Sequence, residues 1–189
     1  MNQLRILVEA TALAYTAGLN LYATVGILGL ATRLEWIGPL PGSLAGLSSW
    51  WVITTALVLA VVEFTASLIP AVASAWDTLH SLIRPPAAAA LAAATAWHGD
   101  PAFVLLAALV GGGMAVTTHT TKLGLRYAID VSPEPISNGV ISTAELGLIT
   151  GIVLTVWRHP YVTLVCALVL LVLLIVLVRL IWRTLCQVF

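Results

Sequence analysis

The sequence predicts an all-α protein, a polytopic membrane bundle of about six transmembrane helices. Three observations carry that reading. The chain of 189 residues is 60% hydrophobic and only 8% charged, where a soluble domain carries about a quarter charged residues. Its mean hydropathy is +1.05. Long apolar runs follow one another with short links, so residues 1–189 read as one transmembrane domain. The short alternating segments of a β-barrel are missing. A formal net charge of zero and a pI near 6.9 give no basic footprint, which excludes nucleic acid as a partner. The partner that composition implies is the lipid bilayer.

The first segment spans about Gln3 to Thr32. It is too long for a removable leader, so it is expected to stay as a span. It holds Gly18-Leu-Asn-Leu-Tyr22, where glycine permits close helix approach and Asn20 is able to hydrogen-bond across helices. Residues 33–48 form a loop with the turn Pro39-Leu-Pro-Gly42. The second segment runs from Ser49 to just before Pro70. The third starts near Ser74, which with Asp77 matches a capping box, and reaches Trp97. Pro85-Pro86 should break it, since proline removes a helix hydrogen bond and clashes with the preceding turn. His98-Gly-Asp-Pro101 is a turn with Asp100 as N-cap. The fourth segment reaches about Ile129, with a weak point and close-approach surface at Gly111-Gly112-Gly113. After Ser132-Pro-Glu-Pro-Ile-Ser-Asn138, where Ser137 or Asn138 caps, come a fifth segment to Trp157 and a sixth over Tyr161–Trp182. Cys166 and Cys186 lie about 30 Å apart on that last helix, so they cannot bond to each other.

Six spans put both termini on one side. With that side inside, it carries Arg5, Lys122, Arg126, Arg179 and Arg183, against Arg33 and Arg158 outside. The positive-inside rule then favours cytoplasmic termini. The same topology, at about 1.5 Å per residue, gathers the charges of the spans in the cytoplasmic half. They are Glu9, Glu63, Asp77, Arg84, Lys122, Arg126 and Glu145, with His80 and His119.

Charges are expensive in hydrocarbon and read as a site by default. Asp77, His80 and Arg84 stand at i, i+3 and i+7, and so do His119, Lys122 and Arg126. Each triad shares a helix face. The candidate substrate- or ion-binding set is therefore Glu63, Asp77, His80, Arg84, His119, Lys122, Arg126 and Glu145. Pro85, Pro86, Gly111, Gly112 and Gly113 are the candidate breaks or hinges. Plainer roles compete: a cap for Asp77, snorkelling for Lys122 and Arg126, and structural ion pairs for Glu63 and Glu145. No HxxxH pair or cysteine stands at ligand spacing, so neither a metal nor another cofactor is expected.

Gly18-Leu-Asn-Leu-Tyr22, Glu63-Phe64 with Ile69-Pro70, Trp76-Asp77 with His80 and Arg84-Pro85, Thr118-His119 with Lys122, and Ser132-Pro-Glu-Pro with Asn138 and Glu145 together carry a resemblance. The chain resembles a bacterial domain-of-unknown-function family of small multi-pass inner-membrane proteins over nearly its whole length. The resemblance implies a membrane fold in the bacterial inner membrane and no settled activity. The family tends to carry an acid and a lysine where this chain has Ser67 and Leu68, and an acid where it has Ala73.

Three functions remain open. Broken helices beside charges fit a small-solute or ion transporter or channel, with 1–97 and 98–189 as two three-helix halves. The alternative is a non-catalytic scaffold or assembly protein, whose charges serve packing. The third is a membrane enzyme acting on lipid. The small-residue surfaces are also compatible with a homo-oligomer.

Overall fold

The computed structural model describes residues 2–130 and 135–188, with side chains for all of these except 42, 70, 128–137 and 184–188. Ser132, Pro133 and Glu134, and the side chains of Ser137 and Cys186, thus lie outside the described residues. The regular structure among the described residues is entirely helical. It comprises α1 (Gln3–Leu19), α2 (Leu21–Arg33), a 3-10 turn (Gly42–Ser48), α3 (Trp50–Ser67), α4 (Pro70–His80), α5 (Arg84–Thr95), α6 (Pro101–Asp130), α7 (Pro135–Thr155) and α8 (Pro160–Val188). Four of these, α3, α6, α7 and α8, are long and apolar enough to cross a membrane.

The first apolar segment is not one continuous helix. Asn20 adopts an extended conformation, ends α1 through its N–H to the Thr16 carbonyl, and caps α2 by accepting from the Ala23 N–H at 2.8 Å. Helix directions follow from close contacts. A Cβ on Gly111 of α6 would lie 3.3 Å from that of Ala14, and one on Gly18 would meet Ala115 and Thr118. Helices α1 and α6 therefore run parallel. Gly26 faces Leu57, and Gly29 faces Leu47 and Ile53, so α2 runs against α3. Helices α3 and α6 start from the same end, because Glu63 meets Lys122 and Ser67 meets Arg126. So α1 enters from that end to mid-bundle and α2 returns, forming a helical hairpin. Arg5 of α1 donates to the Trp157 carbonyl at 2.8 Å, and Arg33 at the end of α2 lies over Trp50, at that same end.

This corrects the expectation of one continuous segment over Gln3 to Thr32. The start of α1 lies at the end rich in tryptophan (Trp36, Trp50, Trp51, Trp97, Trp157), while α8 runs away from it. Thr163 meets Thr155 near that end, and Val178 meets Gly124 further along. The physical reason was available in the length. Thirty helical residues would span about 45 Å, against about 30 Å of hydrocarbon.

The third segment starts at Pro70, the first helical position, and not at Ser74. It breaks at Ser81–Ile83, just before the prolines, which occupy the first turn of α5. Proline is tolerated there because those N–H groups have no intrahelical partner. The break expected in α6 is absent: the helix runs unbroken through Gly111–Gly113. Glycine weakens a helix without removing its hydrogen bonds, and here Gly111 and Gly112 let α5 approach through Ala92 and Ala89. Helix α7 begins at Pro135, before the expected cap at Ser137 or Asn138.

Helix α1 is the axis of the bundle. Val8 to Leu19 are buried on every side, against α5, α6, α7 and α8. The second half consists of three continuous helices and holds no counterpart of the α1–α2 hairpin among its described residues.

Candidate functional site

The two helix breaks meet beside the charges. Arg84 is fully buried, and its Nη2 lies 2.6 Å from Glu63 Oε1 and 3.1 Å from Asp77 Oδ1. Lys122 Nζ donates to Glu145 Oε1 at 2.8 Å, to Glu63 Oε1 at 3.4 Å and to the Leu19 carbonyl at 2.8 Å. That carbonyl belongs to the last turn of α1, where helix C-termini leave acceptors unsatisfied and favour a cation. Arg126 Nε lies 3.5 Å from Asp77 Oδ2, and its Nη1 donates to the Ser67 carbonyl at 3.2 Å. Three carboxylates (Glu63, Asp77, Glu145) thus face three cations (Arg84, Lys122, Arg126), and the network is neutral as a unit.

The two spaced triads face each other head to tail. Asp77 pairs with Arg126 at one end, and Arg84 with His119 at the other. Asp77 is therefore no cap, and Lys122 and Arg126 do not snorkel. Both cations are less than a tenth exposed and paired inside the bundle. A buried charge without a partner would be costly, and close pairing offsets that cost.

Hydrogen-bond chemistry settles the histidine tautomers. Arg84 can only donate, so His119 Nδ1 accepts from Arg84 Nη1 at 2.9 Å. His119 Nε2 then carries the proton and donates to Ser81 Oγ at 2.9 Å, and that hydroxyl donates to the Asp77 carbonyl. His80 Nδ1 must donate to the Trp76 carbonyl at 2.8 Å, leaving Nε2 to accept from the Tyr22 hydroxyl at 3.1 Å. Tyr22 directly follows the first break and His80 directly precedes the second. Trp76 stacks on the His80 ring at 4.7 Å.

One expected member lies elsewhere. Glu9 sits near the start of α1, paired with Arg5 at 2.8 Å. Tyr22, Ser81, Asn138 and the Leu19 carbonyl join the network without having been singled out as site groups. Tyr22 and Asn138 stood inside the quoted motifs, and Ser81 stood beside His80. The carbonyl had no signal except the Asn20 break. Ser67 bonds Ser142 at 2.7 Å.

Two cavities reach the network. One of about 10 Å³ is lined by Asn20, Glu63, Ser67, Lys122, Ser142 and Glu145, room for about one water. Glu63 Oε2 and Arg84 Nε are buried there or close by, with no partner among the described residues. The second cavity, about 330 Å³, lies between α1, α6, α7 and α8 and touches Lys122, Arg126 and Glu145. No group of three histidine, cysteine or carboxylate side chains suited to a metal occurs among the described residues.

A family model described as a domain of unknown function (DUF4126) matches residues 7–180. No curated protein and no solved structure matches the chain.

Proposed function

The chain belongs to the DUF4126 family, whose description carries no activity, and we propose on geometry that it is a small-solute or ion transporter or channel. The observation that carries this reading is the meeting of two discontinuous segments at one charged level. The α1–α2 break supplies a helix C-terminal carbonyl and a helix N-terminus, the α4–α5 break supplies Arg84, and Tyr22 with His80 joins the two. Broken helices whose ends face a midplane site are the recurring architecture of secondary transporters. Non-helical backbone at such depth is tolerated where protein or an aqueous cavity satisfies it.

In this reading the membrane is a bacterial inner membrane. It is crossed by α3, by α4 with α5, and by α6, α7 and α8, with the α1–α2 hairpin dipping in from one face. Glu63, with one free carboxylate oxygen at a water-sized cavity, is the group that exchanges its partner for the moving ion or proton.

The test is flux of protons and of a panel of small cations and anions in proteoliposomes of the purified protein. Glu63→Gln and Asp77→Asn are expected to abolish flux and Lys122→Ala to impair it. Val172→Ala, on the exposed face of α8, should leave it unchanged. A scaffold reading draws on one observation, the near-complete pairing of the network. Wild-type protein that moves none of the panel would favour it.

A further inference from the structure

We infer that the ion this network exchanges is the proton, carried to Glu63 by one water held between Asn20 and Ser142. The inference rests on the transport reading and names its substrate. Asn20, Glu63, Lys122, Ser142 and Glu145 line the cavity of about 10 Å³, which suits one water. Hydrogen-bond chemistry sorts these groups into donors and acceptors. Asn20 spends Oδ1 on the Ala23 N–H, so its amide NH2 is the donor left. Ser67 gives its hydroxyl proton to the Phe64 carbonyl at 2.7 Å, so Ser142 is the donor in the 2.7 Å bond between the two hydroxyls. The Ser142 oxygen therefore keeps its lone pairs. Glu63 Oε2 is buried and has no hydrogen bond among the described residues. A water accepting from Asn20 and donating to Glu63 and Ser142 makes about three bonds, the usual number for a buried water.

Larger ions fit this place poorly. A hard metal cation takes about six oxygen ligands. This cavity offers the Glu63 oxygen and the Ser142 hydroxyl, beside two cations, Lys122 and Arg126. An inorganic anion meets Glu63 and Glu145 on the same wall. Lys122 has no proton to give it, since its three go to the Leu19 carbonyl, Glu63 and Glu145. Either ion would also have to shed its hydration shell to enter the space of one water. A proton needs no room. An excess proton on the water passes to Glu63 Oε2, which becomes a neutral carboxyl and leaves a neutral water in place. Neutralising Glu63 strands no cation. Arg84 keeps Asp77 at 3.1 Å and the accepting His119, Lys122 keeps Glu145 at 2.8 Å, and Arg126 keeps Asp77 at 3.5 Å. Protonating Asp77 instead would leave Arg126 without a carboxylate partner among the described residues.

The experiment uses proteoliposomes of the full chain loaded with a pH-sensitive dye and potassium, with valinomycin setting the potential. Proton flux is expected, and it should persist when N-methylglucamine replaces sodium and gluconate replaces chloride. This ion substitution needs no variant, so it decides even where a variant fails to fold. Infrared difference spectra of the same preparation should show a carboxyl C=O band that grows on acidification and that Glu63→Gln loses. Ser142→Ala removes one partner of the water and should slow proton flux about fivefold, the equivalent of one hydrogen bond of about 1 kcal/mol, while the band remains. Three results overturn the inference and leave the transport reading standing: sodium or chloride flux without proton flux, a carboxyl band unchanged in Glu63→Gln, or full proton flux in Ser142→Ala. Wild-type protein that moves no ion at all defeats the transport reading itself, and the inference falls with it.

Discussion

Arg84 shows how one side chain sets the electrostatics of its surroundings. It neutralises Glu63 and Asp77 directly and fixes the His119 tautomer by donating to Nδ1. Replacing it by glutamine leaves two buried carboxylates short of a partner, and breaking a buried pair from one side costs about 3–5 kcal/mol. Adding Glu63→Gln removes one of the stranded charges. The double variant is therefore expected to be more stable than Arg84→Gln alone. Denaturant unfolding in mixed micelles measures this, and a double variant losing the sum of both single losses would mean that the two residues do not interact. The glycines invite a sharper comparison. Gly113 has nothing within 4 Å of an added Cβ, whereas Gly111 would press it to 2.5 Å from Ala92 Cβ. Gly113→Ala should gain about 0.5–1 kcal/mol through helix propensity, and Gly111→Ala should lose stability in the same assay.

The hairpin and the broken third segment owe their shapes to different local causes. At Asn20 a short polar side chain caps the following helix, so the chain turns without a proline. Asn20→Ala removes that cap and is expected to lower stability by about 1 kcal/mol. Asn20→Asp keeps the accepting oxygen and should retain the cap, although it adds a charge near Glu63. Thermal unfolding of the two variants separates capping from packing, since equal loss in both would rule the cap out. At Pro85-Pro86 the N–H groups are missing, and the chain closes with tighter turns, Leu82 N–H to the Leu79 carbonyl and Ile83 N–H to the His80 carbonyl. Those short turns place Ser81 against His119 and Arg84 against Glu63.

At the scale of the molecule, the hairpin changes which ends share a side. Residues 2 and 43 belong to one end of the bundle, and the end of α8 to the other. In a variant with both cysteines replaced by serine, single cysteines at Asn2→Cys and Ser43→Cys should label from the same face of the membrane. Arg183→Cys should label only from the opposite face. Six full spans would instead place Asn2 with Arg183, so labelling of residues 2 and 43 from opposite faces would dispose of the hairpin. The basic residues bias the orientation less than a six-span count suggests. Arg5, Arg33 and Arg158 mark one end and Arg179 and Arg183 the other, while Lys122 and Arg126 are used inside.

Hydropathy alone determined that this is a helical membrane protein, because the cost of burying backbone in lipid leaves few other solutions for such apolar runs. Spacing alone determined that His119, Lys122 and Arg126 share a face of α6, because the helical repeat is local, whereas Asp77 and His80 reach the network from α4 and Arg84 from α5, across a break. Even the hairpin left a trace, in a segment too long to cross once and an asparagine at its middle. What no local rule supplied was which faces would meet. The pairing of Asp77 with Arg126 and of Arg84 with His119 depends on α4 and α5 running against α6. The separation of Glu9 from the network depends on α1 entering from the tryptophan-rich end. These are distances between residues far apart in the chain, and packing of whole helices against the buried α1 decides them.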